Sequence, residues 1–315
     1  PGLYIFLFAM SMSQSSQGPI LKLIDFVDDI VSVGPKFRQN MTILITYLIF
    51  GASSLSCWHH FSDKDFSFLL TMSGCIQTLG FFLLLHKIRV QRSVAGISSK
   101  TLQVYVFVFI FRLSSTMVKN GYLPVDRTGD WVYQASDIAS LLLVFQLLFF
   151  MHKKYSDTYQ AELDTMPIFK ILPAFVLLGA CFHGHLNHSP VFDAAWTIGM
   201  WFDTIAMLPQ LWMLVAKGGE VEALNAHFVA AIFLSCCCKF AFWYKSYTEV
   251  TEVNAEIIAA GTTGDILIGG YWIFGAHLIQ VLQGLDFMYY YLKATIGMCG
   301  RGKKMTMLLP ESTDV

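Results

Sequence analysis

TLQVYVFVFIF, residues 101–111, runs directly into Arg112. Only two of its eleven positions, Thr101 and Gln103, are polar, so the stretch suits the interior of a bilayer and ends on a permanent charge. A charge at membrane depth costs at least roughly 2.5 kcal/mol, so such a residue normally faces the inside of a helix bundle and has a partner. The alternative is an arginine that snorkels to the headgroups on its long stem. Inside a bundle, the planar guanidinium of Arg112 suits a carboxylate or a phosphate.

The rest of the chain has the same character. Of its 315 residues 55% are hydrophobic and 14% charged, with a mean hydropathy of +0.54. A soluble domain carries about 25% charged residues. An all-α, multi-pass membrane protein follows, without a separate soluble domain, because no long polar stretch exists to build one. The net charge of -1 excludes a strongly basic nucleic-acid binder. The seven cysteines lie mostly in apolar runs, and three of them, Cys236–Cys238, are consecutive, which reads as small buried residues rather than a disulfide frame. The chain starts at Pro1, and its first residues lack the layout of a cleavable signal peptide.

A span needs about 20 mostly apolar residues. Eight stretches qualify: Met41–His59, Phe66–Ile88, Thr101–Val118, Trp131–Met151, Pro167–Phe182, Val191–Leu214, Ala226–Tyr244 and one within Gly269–Leu292. Ahead of them, Pro19–Val33 places Ile20, Leu23, Ile24, Val27, Ile30 and Val31 on one helical face, with Asp25, Asp28 and Asp29 elsewhere. That pattern predicts an amphipathic helix lying on the membrane or on the bundle. Ala255–Ile268, apolar but rich in Gly and Thr, fits no span.

With eight spans, 14 of the 21 Lys and Arg residues fall on one side, four on the other and three within spans. Basic loops stay cytosolic, so both termini are expected there. Ile76-Gln77 and Pro209-Gln210, each followed by an apolar stretch and a polar loop, suggest a weak internal repeat of three-helix halves with a site between them.

The ionisable residues inside or near spans are Arg112, Asp137, Lys170, Asp193, Asp203, Lys239, Asp265 and Asp286. Lys170 is near a span end and suits snorkelling. Asp203, with Trp201 and Pro209 around it, is either a buried, protonated acid or a structural hydrogen bond between helices. Asp193 stands three residues before Trp196, an acid beside an aromatic wall that suits a basic ligand group; it is equally a helix N-terminal aspartate after Ser189-Pro190. His183, His185 and His188 form H-x-H-x-x-H in a short loop, without an acidic partner or fixed metal geometry. No nucleophile elbow, phosphate-binding loop or paired-carboxylate pattern occurs, so an enzyme is not expected, nor a cofactor or metal.

Four stretches carry a family resemblance: SVAGISSKTLQVYVFVFIFR (93–112), DTYQAELDTMPIF (157–169), NHSPVFDAAWTIGMWFDTIAMLPQLWM (187–213) and GGEVEALNAHF (218–228), with LDFMYYYL (285–292) and the tail GRGKKMTMLLP (300–310) in support. Together they resemble the KDEL receptors, the ER lumen protein retaining receptors, from about Phe66 to Pro310. The resemblance implies a seven-span, two-repeat (3+1+3) bundle of PQ-loop and SWEET-like type. The expected organisation is then an amphipathic segment 1–40, an additional transmembrane helix 41–60, a seven-span domain 66–295 and a cytosolic tail 296–315, with extra sequence between Tyr247 and Gly275.

The same resemblance implies a function. Such receptors bind the C-terminal tetrapeptide of escaped ER proteins in the Golgi lumen, favourably at mildly acidic pH, and return them to the ER; the tetrapeptide is a receptor-read address. Residue by residue, it implies that Arg112 holds the ligand's terminal carboxylate, that Asp193 faces its basic first residue, and that Trp196 and Trp243 form aromatic walls. It implies a pH-linked buried acid at Asp203 and coat-recruiting tail lysines at Lys303 and Lys304. Several positions depart from the pattern: Leu70 and Ser246 stand where the family has arginines, Ser235 where it has a tyrosine and Gln77 where it has a histidine. Lys239 replaces an aromatic lining residue and joins the expected ligand-binding set, with Lys245 adjacent to Ser246. Each lost charge-assisted contact is typically worth about 1.5–3 kcal/mol. Three functions are therefore open: a retention receptor with altered ligand preference, partnered by lumenal peptides, membrane lipid and coat proteins; a scaffold subunit of a larger membrane complex; or a small-solute transporter of the related fold.

Overall fold

The computed structural model describes residues 45–60, 67–119, 130–184, 189–221, 223–259, 269–301 and 307–309. The chain divides into two units, Pro1–Phe61 and Ser62–Val315. In the first, α1 covers residues 45–60, where the additional span is expected. The expected amphipathic helix Pro19–Val33 lies outside the described residues.

Among its described residues the second unit is a bundle of seven helices, one of them broken in two. Its helices are α2 (Phe68–Gln91), α3 (Ser99–Thr116), α4 (Asp130–Phe149), α5 (Ile168–Cys181), α6 (Pro190–Ala206) continued by α7 (Leu208–Lys217), α8 (Ala223–Ala259) and α9 (Gly269–Arg301). Each of the seven spans expected here has its helix. The protein is an all-α, multi-pass membrane protein; among the described residues four helical stretches are long and apolar enough to cross a membrane. They are Phe68–Gln91, Trp131–Lys154, Pro190–Lys217 and Asn225–Ser246. α3 carries more polar side chains, and several of them, Thr101, Arg112, Ser115 and Thr116, are buried. The span expected at Val191–Leu214 is not one straight helix: it breaks at Met207, and the shorter α7 begins with Pro209 in its first turn. Proline lacks the N–H and its ring blocks the preceding turn, so a continuous ladder cannot form there.

Packing follows the two-repeat plan. α2 and α3 pack on α4 in one half; α8 and α6 pack on α9 in the other. Between halves the pairing is reciprocal: α2 on α8 and α3 on α6, with α5 lying against α6. The repeat is in this helix arrangement rather than in the two glutamines that suggested it. Gln77 comes ten residues into the 24-residue α2, whereas Gln210 lies past the Met207 break near the other face. Aromatic rings bridge the halves, Phe81 of α2 lying 5.8 Å from Phe228 of α8 and Phe111 of α3 5.6 Å from Phe202 of α6, while Phe81 also packs on Tyr105 and Phe109 within its own half at 5.0 and 5.9 Å. α3 and α6 touch closely at Gly199, where a Cβ would stand 3.2 Å from the backbone nitrogen of Arg112.

On the face that bears the basic loops, side chains tie the helix ends together. α2 closes on Arg92 in the left-handed region (φ 54°), its N–H bonded to the Ile88 carbonyl at 2.8 Å. Ser98 caps α3 by accepting from the Thr101 N–H. The Ser98 hydroxyl donates to Asp164 at 2.8 Å, and Asp164 also accepts from the Tyr159 hydroxyl at 2.7 Å and the Lys100 N–H at 3.3 Å. Gln210 accepts from the Ser98 N–H at 2.8 Å and donates to the Gly96 carbonyl at 2.9 Å. Gly96 has φ +75° and leaves no room for a Cβ beside Asn225, 2.6 Å away. A two-stranded ribbon, β1 (Gly219–Val221) antiparallel to β2 (Met307–Leu309), links the tail to the loop after α7.

Candidate functional site

Five helices of the seven-helix unit bring polar side chains to one interior point. They are Gln77 of α2, Arg112 of α3, Asp137 of α4, Asp203 of α6 and Lys239 of α8, none more than 6% exposed. The Arg112 fork grips Asp137 bidentately, Nε donating to Oδ2 at 2.7 Å and Nη2 to Oδ1 at 2.6 Å. Nη2 also donates to Gln77 Oε1 at 3.2 Å, and Nη1 lies 3.8 Å from Asp203 Oδ2. Lys239 Nζ donates to Asp203 Oδ2 in a second ion pair. Gln77 Nε2 donates to Asp203 Oδ1 at 3.4 Å, so its amide bridges the two pairs.

Rings enclose the charges. The guanidinium carbon is 5.2 Å from the Phe109 ring centre and 5.5 Å from that of Tyr133. Two cations and two carboxylates balance, which is how buried ions avoid the cost of isolation. Snorkelling, the alternative for Arg112, is not what the side chain does: it is held inside the bundle.

The structure brings three of the expected site residues together, Arg112, Asp203 and Lys239. Trp196 and Trp243 form a second group, with Asp193 three residues before Trp196 on α6. Trp196 and Trp243 meet edge to face at 5.6 Å within an aromatic cluster that includes Tyr133, Trp201 and Phe242. Asp193 is buried in the first turn of α6, ten residues before Asp203 and so about 15 Å from it along the helix axis. A Pro190 start and an early acid are what a helix N-terminus favours. Lys239 and Trp243 are one turn apart on α8, so that helix joins the two groups.

Of the departures, Leu70 packs at the edge of the aromatic cluster and Ser246 is fully buried, its hydroxyl without a hydrogen-bond partner among the described residues. Ser235 donates to the Ser73 carbonyl at 2.7 Å, tying α8 to α2. Lys303, Lys304, Asp265, His185 and His188 lie outside the described residues. Cys236–Cys238 carry free thiols, with Cys236 buried. Lys170 and Asp286 are exposed on their helices.

Sequence reasoning assigned no role to two residues. Asp137 is an intramembrane acid in sequence, and the signal for its role is periodicity: it shares the buried face of α4 with Tyr133, Ser136, Ser140, Val144 and Leu147. His277 of α9 stacks on Trp243 at 6.1 Å, nearly parallel, and its Nδ1 pairs with Gln280 Oε1 at 2.8 Å. It lies in a segment whose span limits were loosely marked, and nothing in its local sequence distinguishes it.

Comparison with known proteins adds independent findings. The family model described as ER lumen protein retaining receptor matches residues 93–246. That stretch contains Arg112, Asp137, Asp193, Asp203 and Lys239, and starts after Gln77. The mouse ER lumen protein-retaining receptor 3 is 24% identical over 234 residues, covering 74% of this chain and 94% of that protein. The ER lumen protein-retaining receptor of Saccharomyces cerevisiae is 28% identical over 215 residues, covering 65% and 90%. The Drosophila melanogaster receptor is 26% identical over 204 residues, covering 64% and 89%.

Proposed function

We infer that the chain is a divergent member of the ER lumen protein retaining receptor family, a non-enzymatic membrane receptor family, and propose that it binds the C-terminal carboxylate of a peptide for retrieval from the Golgi to the ER. Arg112 is the clamp for that carboxylate, with Lys239 as a second cation. Trp196 and Trp243 wall the approach, and Asp193 receives a basic group of the ligand. Asp203 is the buried acid that sets the charge balance, and Lys303 and Lys304 are the tail signal for coat proteins. The single observation that carries this reading is the Arg112 fork, which already holds a carboxylate bidentately at 2.7 and 2.6 Å. That is the geometry in which arginine recognises carboxylates best.

Leu70 and Ser246 add no positive charge to the site, so its ligand preference differs from that of a receptor with arginines there. The test is binding of C-terminal tetrapeptides, each with a free carboxylate or an amide, to purified chain at about pH 5.5 and 7.4, either side of the histidine range. Carboxylate-dependent binding that Arg112→Ala removes is expected. Binding that ignores the amide, or that survives Arg112→Ala, refutes the proposal.

One observation favours a second reading. The buried charges are balanced internally, so the cluster also suits a structural tie in a scaffold subunit of a larger membrane complex. Stoichiometric co-purification with partner subunits in mild detergent, without carboxylate binding, would select it.

A further inference from the structure

A ligand carboxylate arriving at Arg112 meets an occupied fork. The Nε and Nη2 edge, which carboxylates engage bidentately, is held by Asp137 at 2.7 and 2.6 Å. The remaining nitrogen, Nη1, faces a second carboxylate, Asp203, at 3.8 Å. Asp137 is 1% exposed, so its charge has no water to retreat into. The charged groups around it are Arg112 from α3, Asp203 from α6 and Lys239 from α8, two cations to two carboxylates. A third carboxylate brought to this point leaves one buried negative charge uncompensated, which is strongly unfavourable in a low-dielectric interior. A ligand that brings its own cation keeps the balance.

We infer that Asp137 is the specificity-determining residue of the site. It is an internal carboxylate that the ligand's terminal carboxylate displaces from Arg112, and it then pairs with a cation supplied by the ligand. The ligand class is therefore a C-terminal peptide with lysine or arginine beside its free carboxylate, rather than one with acidic side chains there. The positions of Leu70, packed at the aromatic cluster, and of the buried Ser246 agree with this, since neither offers a charge to an acidic side chain. The inference rests on the carboxylate-binding reading proposed above.

The experiment uses full-length purified chain and one peptide series. The peptides share a free C-terminus and differ only in whether the last side chains are basic, neutral or acidic, with C-terminal amides as controls. On the unaltered chain, basic peptides are expected to bind about ten- to a hundredfold more tightly than neutral ones, the range of one charge-assisted contact, and acidic ones least. In Asp137→Asn, whose site carries one extra positive charge, neutral peptides gain by a similar factor and the basic preference disappears. Carboxylate-dependent binding through Arg112 with no basic preference, or with an acidic one, overturns the inference and leaves the receptor reading standing. Absence of carboxylate-dependent binding in both the unaltered chain and folded Asp137→Asn overturns the receptor reading and the inference with it. The ranking on the unaltered chain decides the matter even if Asp137→Asn does not fold.

Discussion

Removing either cation of the buried cluster destabilises the fold, but by different amounts. Breaking a buried ion pair by deleting one partner typically costs about 3–5 kcal/mol, because the other charge is left uncompensated. In Lys239→Met, Asp203 keeps the Gln77 amide at 3.4 Å and the Arg112 guanidinium at 3.8 Å. Its cost belongs at the low end, about 3 kcal/mol. In Arg112→Met, Asp137 loses both of its short hydrogen bonds, at 2.7 and 2.6 Å, and Asp203 loses its second cation. That cost belongs at the high end, about 5 kcal/mol. The gap of about 2 kcal/mol is about a thirtyfold difference in the folding equilibrium. The double variant Arg112→Met/Asp137→Leu replaces the pair with apolar groups and recovers most of the loss, since a buried pair exchanged for packed hydrophobic residues is often neutral. Denaturant titration of the detergent-solubilised chain, followed by tryptophan fluorescence, measures all three. Lys239→Met as damaging as Arg112→Met, or a double variant no more stable than Arg112→Met, would refute the assigned pairing.

Other expectations follow from the same geometry. Asp164→Ala deprives the Ser98 and Tyr159 hydroxyls and the Lys100 N–H of their acceptor. It should cost about 3 kcal/mol, with Asp164→Asn retaining part of the stability, in the same unfolding assay. Gly199→Val forces side-chain bulk into the contact with the α3 backbone at 3.2 Å. Close helix approach in membranes depends on such small residues, so the midpoint of unfolding should fall and Arg112 should become accessible to arginine-modifying reagents. Burial and the Asp164 carboxylate push the Tyr159 phenol above its usual range. The folded state then holds that proton more tightly, so stability is flat below about pH 10 and falls above it as unfolded tyrosine ionises. Tyr159→Phe should remove that share of the alkaline loss, measurable as a shallower slope of stability against pH.

The fold was readable because each span is a long apolar stretch and the basic residues alternate between loops. Those signals are one-dimensional, and among the described residues each of the eight expected spans has its helix, the one at Val191–Leu214 broken in two. The site was readable only in part. A charge at Arg112 announces that it needs a partner, but the partner's identity depends on how α3 and α4 are rotated against each other, which hydropathy does not encode. Asp137 could be placed only by its buried face on α4, where it follows the small residue Ser136 and precedes Ser140 by three. Asp203 and Lys239 are 36 positions apart and meet because α6 and α8 belong to the same half. The Met207 break was hidden because Pro209 sits within an otherwise continuous apolar run, and a span can accommodate a proline either as a kink or as an end.

The arrangement of the four charges has a logic of its own. Arg112 and Asp137 stand on α3 and α4, both in the first half; Lys239 and Asp203 stand on α8 and α6, both in the second. The strong pairs therefore lie within halves. Within this cluster the links between halves are longer, 3.4 Å from the Gln77 amide to Asp203 and 3.8 Å from Arg112 to Asp203. Cohesion between halves comes from the packing of α2 on α8 and α3 on α6, with the Ser235 hydroxyl of α8 donating to the Ser73 carbonyl of α2 at 2.7 Å. An unpaired charge at the middle of a bilayer is costly, so a half that neutralises its own charge can enter the membrane before its partner does. The neutral glutamine at position 77 then joins two finished halves without adding a charge of its own. A charged residue at that position would have no balancing partner, and the seam between halves would have to open toward water to accommodate it.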